Sequence, residues 1–167
     1  MIDYVVLAGV MSESNRRRLF VTLFTMALLA TGAHISQSYV NYPGWHLMEP
    51  TSFRAYHGAM FLRAVVFLLL PRVLEIAIGF AVLRYRPRAI DRWVVLLGIG
   101  LASGGLVCTM LLQRPIHDQL DIQGNVPELL SRLMATDWIR NSLEFGRAAL
   151  YVWALSKMVS VAGDHGR

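Results

Sequence analysis

The sequence predicts an all-α integral membrane protein: a four-helix bundle with cytoplasmic N and C termini and a short amphipathic helix on the outer side. Three observations predict it. Hydrophobic residues make up 55% of the 167 residues and charged residues 16%, with a mean hydropathy of +0.46; ordinary globular chains are about a quarter charged. Four stretches reach the roughly 20 residues that cross a bilayer. The basic residues are also distributed unevenly around those stretches. The same composition excludes disordered, collagen-like, coiled-coil and disulfide-stapled chains.

Residues 1–18 read as a cytoplasmic N-terminal segment, 19–161 as the transmembrane domain and 162–167 as a cytoplasmic tail. The opening MIDYVVLAGV is apolar but too short to span, and it lacks the basic start and small-residue cleavage pattern of a signal peptide. Met1 and Met11 are both candidate starts. The first span covers about 19–41 and turns polar at His34. The second covers 57–83 and is interrupted by Arg63 and by Pro71-Arg72. The third covers 93–112 and holds no charge; Gly98, Gly100, Gly104 and Gly105 suit close helix packing there. The fourth covers 138–161 and carries Arg140, Glu144 and Arg147 in its first half. Ahead of it, Pro127 suits a first helical turn. Leu129, Leu130, Leu133 and Met134 make that turn amphipathic, as in a helix lying on the outer interface.

Arginine supplies 15 of the 16 basic residues. Arg16, Arg17, Arg18, Arg84, Arg86, Arg88, Arg92, Lys157 and Arg167 fall on one side of the four spans; Arg54, Arg114 and Arg132 fall on the other. The positive-inside rule places the richer side in the cytoplasm. Topology therefore accounts for most of the net charge of +5, and a nucleic-acid partner is not expected.

Arg63, Arg72, Arg140 and Arg147 remain inside predicted spans, where ionisable groups face the interior and pair or serve function. At about 1.5 Å per helical residue, His34, Arg63, Glu144 and Arg147 fall in one layer roughly 9–14 Å deep. Gln37, His57, His117, Asp118, Asp137 and Arg140 form a shallower layer. Asp137, Arg140, Glu144, Arg147 and Tyr151 share one face of the fourth span. Arg63 with Glu144 and Arg72 with Glu75 are the expected ion pairs, with Glu75 too deep to reach the outer layers. No two histidines have metal-ligand spacing, so no metal is assigned, and no cofactor is named. Cys108 stands alone, which removes disulfide and CxxC chemistry.

Tyr42-Pro43, Phe53 with Tyr56-His57, Pro71 with Glu75, Pro115-Ile116-His117, Asp137-Trp138-Ile139-Arg140 and Arg147 together form a pattern over residues 20–155. It resembles the small four-helix bacterial membrane proteins related to the anthrone-oxygenase-like family. Where that family often reads Pro-Ile-Asn-Asn, this chain reads Pro-Ile-His-Asp. The resemblance implies a multi-pass protein of the bacterial inner membrane and an oxidoreductase-like, cofactor-independent oxidation of an aromatic substrate.

The residues themselves lead to an outward-facing polar pocket for a hydrophobic ring or lipid-like small molecule with an anionic or phenolic group. His34 and His57 are the candidate general bases. Arg140 and Arg147 are the candidate groups for stabilising a developing oxyanion. Gln37, Arg63, His117, Asp137, Trp138 and Glu144 are the candidate substrate-binding residues. In the same layer two arginines stand against one carboxylate, which leaves a positive charge for a ligand. The alternative is a non-catalytic accessory subunit that meets a protein partner, or a second copy of itself, through the glycine-rich third span and residues 127–134. Membrane lipid is a neighbour in either case.

Overall fold

A computed structural model describes residues 11–164. The first ten residues of the N-terminal segment, with the choice between Met1 and Met11, and Arg167 of the tail lie outside the described residues. The described chain is all-helical, with four long helices: α1 (Glu13–Trp45), α2 (Pro50–Arg84), α3 (Arg92–Gln123) and α4 (Pro127–Asp164). The first three are long and apolar enough to cross a membrane. The fourth is longer still, but Arg140, Glu144 and Arg147 interrupt its apolar run.

The helices start and stop for local reasons. Ser12 caps α1, its side chain accepting a hydrogen bond from the Asn15 amide. Pro50 and Pro127 open α2 and α4, where a missing N–H costs nothing. Gly124, at φ +84°, ends α3 in the left-handed region. Only Gly124, Asn125 and Val126 separate α3 from α4, and Asn125 Nδ2 ties this turn to the one after α1 by donating to the Trp45 and Met48 carbonyls at 2.9 and 2.6 Å.

Three prolines lie inside helices rather than in loops. Each is preceded by a five-residue π turn: Gln37–Asn41 before Pro43, Val65–Leu69 before Pro71, and Thr109–Gln113 before Pro115. An internal proline lacks its donor and its ring collides with the carbonyl four residues back. Those carbonyls belong to Tyr39, Phe67 and Leu111, in the middle of each π turn. The wider turn makes room: the amides of Tyr42, Leu70 and Arg114 bond to the carbonyls of Gln37, Val65 and Thr109, five residues back.

The expected short outer helix is not separate. Residues 127–134 are the first turns of α4, and Leu129, Leu130 and Leu133 are buried against Tyr42, Trp45, Phe53, Ile116 and Leu120 in an upper core. A lower core joins Phe20, Leu23 and Ala27 of α1 with Val82, Val95, Tyr151 and Ala154. α4 packs along both α3 and α1, and α1 also packs on the lower half of α2. Between the two cores the outer surface is apolar, with Leu29, Phe61, Leu62, Phe67, Leu111 and Phe145 exposed.

The glycines of α3 serve this packing unequally. A Cβ on Gly98 would lie 2.2 Å from the Tyr151 hydroxyl and one on Gly105 3.1 Å from Glu144 Oε1, whereas Gly100 faces open space. On the two surfaces nominated for a protein partner, Gly98, Gly105, Leu129, Leu130 and Leu133 are covered by this chain itself, while Gly100, Glu128, Ser131 and Arg132 face outward. Gly98→Ala should cost about 1–3 kcal/mol, the usual cost of overpacking, read as a lower unfolding midpoint in detergent. Tyr151→Phe in the same chain should recover part of the loss; an unchanged midpoint for Gly98→Ala would refute this close approach.

Candidate functional site

The stripe expected on α4 is buried in full: Asp137, Arg140, Glu144, Arg147 and Tyr151 are each at most 3% exposed. Its lower charges do not pair as expected. Arg63 is exposed on α2, and Glu144 meets Arg72 and Arg147 instead. Glu75 accepts from Arg72 at 2.6 Å and lies 3.0 Å from the Arg147 Nε. Thr31 of α1 completes the group, receiving Arg147 Nη2 at 2.7 Å and donating to Glu144 Oε2 at 3.2 Å.

Two guanidiniums thus face two carboxylates, and the spare positive charge expected in this layer is absent. The depth estimate failed because it measured the fourth helix from Trp138. α4 begins at Pro127, so Arg147 lies roughly 30 Å along its helix, comparable with the roughly 37 Å from Pro50 to Glu75 along α2.

Arg72 also lines a cavity of about 500 Å³ that extends upward between α2 and the other helices. All three π turns contribute to its wall, through Gln37 and Asn41, Val65 and Leu69, and Thr109 and Met110. Phe61, Phe67, Leu68 and Leu106 make much of the wall apolar, while the exposed Arg63 and the Arg114–Asp118 pair stand around it. Arg114 stacks over the Phe61 ring at 4.9 Å.

The polar end of the cavity is ordered by a chain of hydrogen bonds. His57 Nδ1 lies 2.6 Å from Asp121 Oδ1, His57 Nε2 lies 2.9 Å from His117 Nδ1, and His117 Nε2 lies 3.3 Å from the Tyr42 hydroxyl. The same hydroxyl also donates to Gln113 Oε1, at 3.4 Å. A carboxylate only accepts, so His57 donates from Nδ1 and its Nε2 receives the Nδ1 proton of His117. That leaves His117 Nε2, 3.3 Å away, as a second acceptor for the single Tyr42 proton. With the Tyr42 proton turned to His117, the donors run in one direction to Asp121, whose side chain is 48% exposed. Trp45 and Phe53 fix the two imidazoles: Trp45 meets both edge-on, with centroids 5.2 and 5.9 Å away, and Phe53 stacks on His57.

His34 lines the cavity from α1. Its Nδ1 donates to the Ala30 carbonyl at 2.8 Å, which leaves Nε2 of the neutral ring as an acceptor. Arg140, 2% exposed, also lines the cavity. It is ion-paired with Asp137, but its Nε has no hydrogen-bond partner. An orphaned guanidinium donor at a cavity wall is costly unless an acceptor joins it.

Of the sequence candidates, the structure gathers His34, Gln37, His57, Arg63, His117 and Arg140 around one cavity. Glu144 and Arg147 lie behind Arg72, Asp137 lies behind Arg140, and Trp138 is 65% exposed on the outside. Sequence reasoning missed Tyr42, Gln113 and Asp121. Asp121 was recoverable: it stands four residues after His117, on the same face of a helix. Among the described residues, no group of three or more His, Cys, Asp and Glu is arranged to hold a metal ion.

Comparison with family models, with curated proteins and with solved structures gives no match.

Arg147→Ala should strand Glu75 and Glu144 and cost about 3–5 kcal/mol, the usual result of breaking a buried ion pair. Denaturation in detergent checks this. The double variant Glu75→Gln/Arg147→Gln should lose less than the sum of its two single changes; strict additivity would dissolve the pair.

Proposed function

We propose that the chain is a multi-pass inner-membrane protein whose outer half binds a hydrophobic ring or lipid-like molecule bearing a phenolic or anionic group. The carrying observation is the cavity of about 500 Å³, apolar along much of its wall and polar at one end, where Arg140 Nε lacks an acceptor. An oxygen anion there would satisfy the guanidinium, and the Nε2 acceptor of His34 would receive the hydrogen of a neutral hydroxyl. The apolar wall would hold the hydrophobic remainder.

Four crossings follow from adding α4 to the three apolar helices. Its buried charges are offset within the protein, where Arg72 and Arg147 pair with Glu75 and Glu144. An even number of crossings returns both ends to one side, and the arginines before α1 and between α2 and α3 mark that side as cytoplasmic. Helices of 32–38 residues exceed the bilayer core, so the upper core and Asp121 rise above it. The cavity then opens on the outer half.

Two measurements test this reading. With Cys108 replaced by alanine, a cysteine at His46 should react with an impermeant thiol reagent added outside cells, and one at Arg88 should react only after lysis. Reaction of both from one side would overturn the topology. In nanodiscs, 2-naphthol should bind saturably, and Arg140→Met and His34→Phe should each weaken binding at least about tenfold, the loss of one charge-assisted hydrogen bond. Equal binding of naphthalene, with no effect of either variant, would overturn the pocket.

A further inference from the structure

We propose that Tyr42, His117, His57 and Asp121 form a proton relay that carries a proton from a hydroxyl-bearing ligand in the cavity to water on the outer face. The ligand class rests on the reading above; the relay itself rests on the chain of hydrogen bonds. Its four members come from three helices, Tyr42 from α1, His57 from α2 and His117 with Asp121 from α3. The links of 3.3, 2.9 and 2.6 Å run without interruption from a buried phenol to a half-exposed carboxylate. Packing alone does not require two buried imidazoles to share a hydrogen bond, nor a phenol and a carboxylate to flank them.

The transfer balances as one proton moved through three existing hydrogen bonds. The ligand O–H gives its proton to the Tyr42 oxygen as Tyr42 gives its own to His117 Nε2. His117 gives its Nδ1 proton to His57 Nε2, and His57 gives its Nδ1 proton to Asp121. The products are a ligand oxyanion and a neutral Asp121 carboxylic acid, and both imidazoles end neutral in the other tautomer. Asp121 then releases the proton to outside water, and rotation of the Tyr42 hydroxyl with reorientation of the two rings resets the chain.

The surrounding charges favour this direction. From α4, Arg140 faces the cavity and stands ready for the oxyanion, with its own charge already balanced by Asp137. From α3, Arg114 is engaged by Asp118 at 2.8 Å and leaves Asp121 to His57. Trp45 and Phe53 bracket the imidazoles and limit water at the middle of the chain. Tyr42 is the residue that touches the ligand; His117, His57 and Asp121 act through it.

Two readouts separate the relay from the pocket. The first needs no ligand: in protein with ¹⁵N-labelled histidine, His57 and His117 should both carry the proton on Nδ1. Asp121→Ala should shift the ring nitrogens of both together while leaving those of His34 unmoved. Independent behaviour of the two imidazoles would overturn the relay whether or not anything binds. The second uses 2-naphthol, which becomes strongly acidic in its excited state and reports transfer by naphtholate emission. At equal occupancy, determined by dialysis, Tyr42→Phe and Asp121→Ala should each cut prompt naphtholate emission at least about fivefold relative to wild type. Saturable binding with emission unchanged in both variants would overturn the relay and leave the pocket standing. Absence of binding to wild type would overturn the pocket, and the histidine resonances would then decide the relay alone.

Discussion

Burying four full charges is tolerable only if they neutralise one another, and Arg72, Glu75, Glu144 and Arg147 do so across two helices. That requirement sets the relative height of α2 and α4. Sliding either helix by one turn would strand a guanidinium opposite apolar side chains. Thr31 and the Ala27 carbonyl extend the constraint to α1, since both accept from Arg147. Gly105 admits Glu144 beside α3. With the four heights fixed, His57, His117 and Tyr42 meet about four turns further up. The cavity floor and the charge group share a residue, Arg72, so the stability of the scaffold and the geometry of the pocket are one problem.

The prolines solve the complementary problem of opening space in a packed structure. A straight α-helix presents a continuous ridge, and three such ridges would close on one another. Pro43, Pro71 and Pro115 instead each demand an extra residue in the preceding turn. The resulting wide turns lie around the same cavity, although they are far apart in sequence. The defect in each helix is therefore local, while the cavity it helps to form belongs to all three.

Much of this was legible from the sequence. Hydrophobic length found α1, α2 and α3, and the spacing of Asp137, Arg140, Glu144, Arg147 and Tyr151 found the inner face of α4. What was not legible was continuity. Proline reads locally as a boundary, so Pro43 and Pro115 were placed in loops and residues 127–134 were separated from the span that follows. Depths counted from the false boundaries then paired Arg63 with Glu144. His57 and His117 were recognisable as candidates, but their mutual contact depends on helix height, which no local pattern encodes. Asp121 was overlooked because a carboxylate in a presumed loop needs no special account.

The neutral charge group has one more consequence, for permeability. A protein that accepts protons in a cavity within a bilayer risks becoming a leak, because any hydrated path onward to the cytoplasm would dissipate the ion gradient. In the proposed orientation, Arg72 lines the cavity on its lower side, next to the charge group. There the guanidiniums bind their protons too tightly to pass them on, and the carboxylates are engaged by Arg72, Arg147 and Thr31. Below them lie the packed side chains of the lower core. If the cavity handles protons as proposed, the same four residues that hold the helices in register would also insulate it from the opposite side.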